Sequence, residues 1–125
     1  MKEILVDTSL LIDFLQGITS QDTDNFLESN TVSISIITYF EACKFYFKTG
    51  RTKDWWITNQ RLKAFKTWNL THEICEEAVK LSVSTDMPAA DAIIYATARS
   101  NGLKLATSDS LLKKLDGVIF IPKKS

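Results

Sequence analysis

Short apolar β runs at residues 4–6, 32–36, 67–70, 103–106 and 118–121 alternate along this chain with helical patterns. Parallel strands cannot be joined by tight hairpins; they need crossovers, which are mostly helical and right-handed. The alternation therefore predicts an α/β fold: a three-layer α/β/α sandwich around a five-stranded parallel sheet. Ile4-Leu5-Val6 is continuously apolar, whereas Val32, Ile34 and Ile36 alternate with Ser33 and Ser35. The run at 67–70 is the weakest of the set. Helical patterns cover 10–15, closed by Gly17, then 38–48, closed by Gly50, and 52–65, 71–84 and 88–98. One short helix is expected within the polar 19–30 stretch and another over 108–115. The 52–65 helix is expected to carry Trp55, Trp56, Ile57, Leu62 and Phe65 on one side, and the 71–84 helix to turn Ile74, Ala78, Val79 and Leu81 inward. Phe40, Phe45 and Phe65 read as core. No repeat, linker or low-complexity segment interrupts the pattern, which predicts one domain over residues 1–125.

A chain of this length buries roughly two thirds of its unfolded surface and needs no staples. Its 45% hydrophobic and 24% charged residues are those of an ordinary soluble globular protein. Fifteen basic residues balance fifteen acidic ones, so bulk charge argues for no polyanionic partner. Cys43 and Cys75 lie in helical patterns without a secretory leader, and read as reduced core thiols. No apolar stretch has the length of a membrane span, which points to a cytoplasmic protein with no membrane contact.

The most apolar helical run, Pro88 to Ala98, carries one carboxylate, Asp91. Pro88 suits the first helical position, which places Asp91 in the first turn. Such an acid either partners the N–H groups of its own helix or is held ready for chemistry. In open α/β sheets, ligands collect beyond the carboxyl ends of the strands. Asp7 ends the first strand, Glu41 opens the helix after the second, Asp91 opens the helix before the fourth, and Asp109 follows the fourth. Singly, each has a structural explanation. Thr38-Tyr-Phe-Glu41 fits a capping box, and the aspartates favour positive helix N-termini by typically 0.3–1 kcal/mol. Together the explanation weakens, because like charges on one rim repel unless a cation neutralises them. Oxygen ligands of this kind suit Mg2+ or Mn2+.

Val6-Asp7-Thr8-Ser9, Glu41, Pro88-Ala-Ala-Asp91-Ala-Ile-Ile and Ala106-Thr107-Ser108-Asp109 resemble the ordered acidic motifs of PIN domains, particularly the single-domain VapC toxins of toxin–antitoxin pairs. The resemblance covers essentially the whole chain. It implies Mg2+- or Mn2+-dependent cleavage of RNA at a four-acid site. Asp7 and Asp91 match the principal metal ligands, Glu41 and Asp109 complete the cluster, and Ser9 and Thr107 match supporting polar positions. It also implies a homodimer and inhibition by an antitoxin segment lying in a groove beside the acids. Phe45 replaces a residue that is often small in the family, and Leu111 or Leu112 stands where an aromatic is common. These departures bear on groove shape and partner or RNA preference.

Between residues 44 and 66 seven basic residues face only Asp54. Lys44, Lys48 and Arg51 are the candidate RNA contacts, with a solvated helix face as the equal alternative. Tyr46, Phe47, Trp55 and Trp56 exceed what one helix readily hides, and some are expected to line the antitoxin groove. His72, the one histidine, opens a helix and suits capping or surface better than catalysis. A dehalogenase-type phosphatase needs an acid at position 9, which is serine, and a receiver domain needs paired acids and a lysine that are missing here. The remaining alternatives are a non-catalytic RNA- or protein-binding module, and a PIN nuclease that processes RNA without an antitoxin.

Overall fold

The alternation of side chains along the central strands sets the layers. In β1 (Glu3–Val6), Ile4 and Val6 enter one core and Leu5 the other, as in a strand covered on both faces. β4 (Lys104–Thr107) repeats the division, Leu105 joining Leu5 and Ala106 joining Val6. The first core closes under α1 (Thr8–Leu15), α3 (Ile36–Lys48) and α4 (Thr52–Ala64), through Leu10, Leu11, Ala42 and Leu62. The second closes under α6 (Ala89–Ser100), through Ile94 and Ala98. α5 (His72–Thr85) packs against α6, Ile74 and Ala78 meeting Ala92 and Ala96. The computed structural model describes residues 2–124; Met1 and Ser125, the ends of the expected domain, lie outside them.

With β2 (Thr31–Ser35), β3 (Lys66–Trp68) and β5 (Val118–Phe120), the sheet runs β3-β2-β1-β4-β5 and every pairing is parallel. This is the expected three-layer architecture. α2 (Gln21–Glu28) is the short helix expected before β2. The chain steps from β1 through β2 to β3 on one side, then returns to lay β4 and β5 on the other. The strand order therefore reverses between β1 and β4, and a crevice opens there at the carboxyl ends.

Several local expectations fail for identifiable reasons. Ser35, the last residue of β2, caps α3 by accepting the Ile37 N–H at 3.1 Å. α3 thus starts at Ile36, and Thr38 and Glu41 form no capping box. Pro88 (φ −55°, ψ 148°) is itself the N-cap of α6, so the helix starts at Ala89, one residue later than expected, and Asp91 still falls in the first turn. The stretch 108–115 forms no α-helix. Asp109 Oδ1 accepts the Leu111 N–H at 2.9 Å, and the carbonyls of Asp109, Ser110 and Leu112 accept from residues three further on. These are tight turns, in which an Asp side chain competes with the helix for N–H groups. β3 spans Lys66–Trp68 rather than 67–70, and β5 stops at Phe120.

Inner faces also need correcting. Trp56 and Ile57 are 70% and 71% exposed, because α4 buries Thr58, Asn59 and Leu62 instead. Phe40 and Val79 are exposed as well, and so is Cys75, while Cys43 is half-buried. No helix among the described residues is long and apolar enough to cross a membrane.

Candidate active site

At the crevice, Asp7 directly follows β1 and caps α1. Its N–H donates to the Ala106 carbonyl at 3.1 Å, and its Oδ1 accepts the Leu10 N–H at 3.1 Å. Asp7 Oδ2 accepts the hydroxyl proton of Thr107, the last residue of β4. Thr107 Oγ1 in turn accepts the Asp109 N–H at 2.9 Å. One hydroxyl therefore joins the ends of the two central strands and sets where Asp109 leaves the sheet. Across the crevice, Glu41 projects from α3, and its Oε1 accepts the Thr8 hydroxyl at 2.6 Å. Asp91 is presented by the first turn of α6.

These elements enclose a depression of about 280 Å3 lined by Asp7, Thr8, Ser9, Ile12, Glu41, Asp91, Ile94 and Asp109. All four acids anticipated from the sequence line it, and so does Ser9. Thr107 does not line it and acts from behind, through Asp7. Thr8 and Thr38 were missed. Thr8 adjoins Asp7 in the sequence, but its bond to Glu41 spans thirty-three positions, and Thr38 carried a different reading, as a helix cap.

Among the described residues, no basic side chain lines the depression. The ion pairs among the described residues, Arg51–Asp54, Lys66–Glu3, Lys80–Glu77, Arg99–Asp116 and Lys123–Asp13, all lie elsewhere. Burial pushes the Asp7 carboxyl up to about 6; the bonds from Thr107 and Leu10 pull it back, and the charges of Asp109 and Asp91 add to the rise. Asp91 is also raised, by burial first and then by Asp109 and Glu41. The site concentrates negative charge, and no basic side chain among the described residues lines it to neutralise that charge.

The model of the PIN domain family matches residues 4–118. The chain belongs to this family. PIN domains are in general nucleases. Among solved structures, it is similar to a toxin–antitoxin complex from Klebsiella pneumoniae, with 29% identity, a TM-score of 0.78, and coverage of 93% of this chain and 95% of that one. It is also similar to PAE2754 from Pyrobaculum aerophilum, at 27% identity and a TM-score of 0.71 over 96% of this chain and 92% of that one. VapBC2 from Rickettsia felis, bound to a promoter DNA fragment, shares the fold at 16% identity and a TM-score of 0.80, covering 99% and 100% of the two chains. No curated protein matches the sequence.

PIN domain nucleases generally use divalent metals, and the donor set here is the kind a hard cation takes: carboxylate and hydroxyl oxygens, with no competing ammonium or guanidinium among the described residues. The acids do not form a ready-made cage. Among the described residues, no three His, Cys, Asp or Glu side chains are grouped closely enough to hold a metal ion. Mg2+ keeps several waters and takes only one or two carboxylates directly, so an open arrangement of acids suits it. Lys44 and Lys48 are exposed on α3 and do not line the depression. Arg51 pairs with Asp54 at 3.7 Å and borders a separate depression with Leu15, Gln16, Tyr46, Ile57 and Thr58.

Proposed function

We propose that this PIN domain is an Mg2+- or Mn2+-dependent endoribonuclease and the toxin of a toxin–antitoxin pair. The supporting observation is the convergence of Asp7, Glu41, Asp91 and Asp109 on one depression that no basic side chain neutralises. A bound divalent cation supplies Lewis-acid stabilisation of the charge that develops on a phosphodiester during hydrolysis. The protein supplies orientation. Asp7 is clamped by Thr107 and Leu10, Glu41 by Thr8, and Asp109 by the Leu111 N–H. Asp91 stands on a helix anchored by the buried Ile94 and Ala96, a rigid mount of the kind a catalytic carboxylate needs.

Lys48 lies seven residues beyond Glu41 on α3, on nearly the same face and about 10 Å further along the axis. With Lys44 it forms a track for RNA phosphates leading away from the acids; Arg51 extends the positive charge towards α4. The antitoxin covers the outer surface of α3 and α4, where Phe47, Trp56 and Ile57 are exposed. The similar solved structures that are toxin–antitoxin complexes support this assignment. The active form is a homodimer.

The direct test is purified Asp91→Asn assayed on RNA with Mg2+ or Mn2+. Cleavage by the wild type and none by a folded variant is the expected result; undiminished cleavage by the variant sinks the proposal. Growth arrest on expression, relieved by Asp7→Ala, tests the toxin assignment.

A further inference from the structure

Threonines inside helices ordinarily give their hydroxyl proton to the carbonyl four residues back. Thr97 and Thr85 do so here, to Ile93 at 2.7 Å and to Leu81 at 2.6 Å. Thr38 does not. The residue four back, Ile34, belongs to β2, so no helical carbonyl is in place for it. Thr38 has no exposed surface, and the side-chain partner of its hydroxyl is Thr8 Oγ1, 3.2 Å away.

Thr8 has a single hydroxyl proton, and the 2.6 Å contact with Glu41 Oε1 claims it. The longer contact is then filled by the proton of Thr38, which donates to Thr8 Oγ1. The result is a directed chain, Thr38 to Thr8 to Glu41, with its first member sealed in the core. Valine has the same shape and fills such a position without burying a hydroxyl, so packing alone does not account for a threonine.

We infer that Thr38 is a positioning residue: its buried hydroxyl orients that of Thr8, which fixes the Glu41 carboxylate towards the depression. Its value to catalysis rests on the proposed role of Glu41. The orientation itself does not, and the two are tested separately.

The first measurement uses metal-free protein and the carboxyl 13C resonance of Glu41. Thr38→Val is expected to displace it in the same direction as Thr8→Val, and Thr38→Ser, which keeps the hydroxyl, to restore it. Thr38→Val added to Thr8→Val is expected to displace it no further. An unmoved resonance in Thr38→Val overturns the inference. So does an undiminished effect in the Thr8→Val background, or a Thr38→Ser that behaves like Thr38→Val, since either assigns the effect to packing.

The second measurement is Mn2+ affinity, read from the electron paramagnetic resonance of the free ion. Supporting residues around metal ligands typically contribute 10–100-fold, and Thr38, one bond further out, is expected to contribute about 5-fold. A wild type that binds no Mn2+ removes the metal-dependent function, while the Glu41 resonance still decides the role of Thr38.

Discussion

On the floor of the acidic depression Asp7 is 6% exposed, and behind it Thr38 and Thr107 are fully buried, whereas on the outer face of α3 and α4, Phe47, Trp56 and Ile57 keep more than half of their surface in water. Polar groups sit inside at one place and apolar groups outside at the other, and both depart from the usual distribution. The floor holds its charge with hydroxyls and N–H groups, which orient a carboxylate but do not neutralise it. Its order is gained at the expense of stability. The outer face costs its own fold little, since Trp56 and Ile57 line no core; its apolar area gains only when a partner covers it. Mutations should therefore split. Changes at the floor alter both chemistry and stability, and changes on the outer face alter association alone.

Asp7→Asn gives the largest separation. RNA cleavage should fall by more than ~100-fold, beyond what is typical for a residue that only supports a metal ligand. Without metal, the same variant should be the more stable protein at neutral pH. A carboxyl raised from 3.8 to about 6 on folding binds its proton more tightly in the native state. Its favourable contribution is complete below about pH 4 and is lost as pH rises through about 6. The rise amounts to up to ~3 kcal/mol at neutral pH. Urea denaturation in EDTA should show Asp7→Asn drawing ahead of the wild type between pH 4 and 7.5, with added Mg2+ closing the gap. A gap of constant size across that range would show that the floor carries no such strain.

Thr107→Val comes next. It removes the proton donated to Asp7 and the acceptor of the Asp109 N–H, and leaving buried partners unmatched costs about 1–3 kcal/mol. Because the Thr107 bond pulls the Asp7 carboxyl down, its loss should push that group still higher. An NMR titration of Asp7 measures this directly, and an unchanged midpoint would mean that the hydroxyl does not hold the carboxylate.

The sequence discloses these two regions unequally. Short apolar runs, only one of them alternating, locate all five strands, and the acids at their carboxyl ends can be found because topology brings every strand-to-helix passage to one edge. The tethers are less visible. Thr8 and Glu41 meet only once β1 and β2 pair, and no local spacing announces it. On α4, Trp55, Thr58, Asn59 and Leu62 follow the one-face spacing of a helix, and that stripe is the inward one. Two polar residues within it disguise the pattern and make Trp56 and Ile57 look as though they shared a side with Trp55 and Leu62. Asn59 is tolerated there because its side-chain carbonyl accepts the Tyr39 hydroxyl at 2.9 Å.

The smallest effects on the fold are expected at the outer face, where two adjacent tryptophans provide an internal control. Trp55 is half-buried and packs edge-on against Tyr39, with ring centroids 6.3 Å apart. Full burial makes truncation of a tryptophan cost about 3–5 kcal/mol, so half-buried Trp55→Ser should cost about 2 kcal/mol by urea denaturation. Trp56→Ser, one residue along, should change stability by less than about 0.5 kcal/mol and leave RNA cleavage by the free protein within about 2-fold. Association with a co-expressed antitoxin should weaken about tenfold or more, as tryptophans at the centre of interfaces commonly contribute above 1 kcal/mol. Equal destabilisation by the two substitutions would place Trp56 in the core. Equal antitoxin affinity of Trp56→Ser and the wild type would move the partner off this face. Only a stable, active and partner-deficient Trp56→Ser preserves the contrast between a floor whose polarity serves chemistry and an outer face whose apolar surface serves recognition.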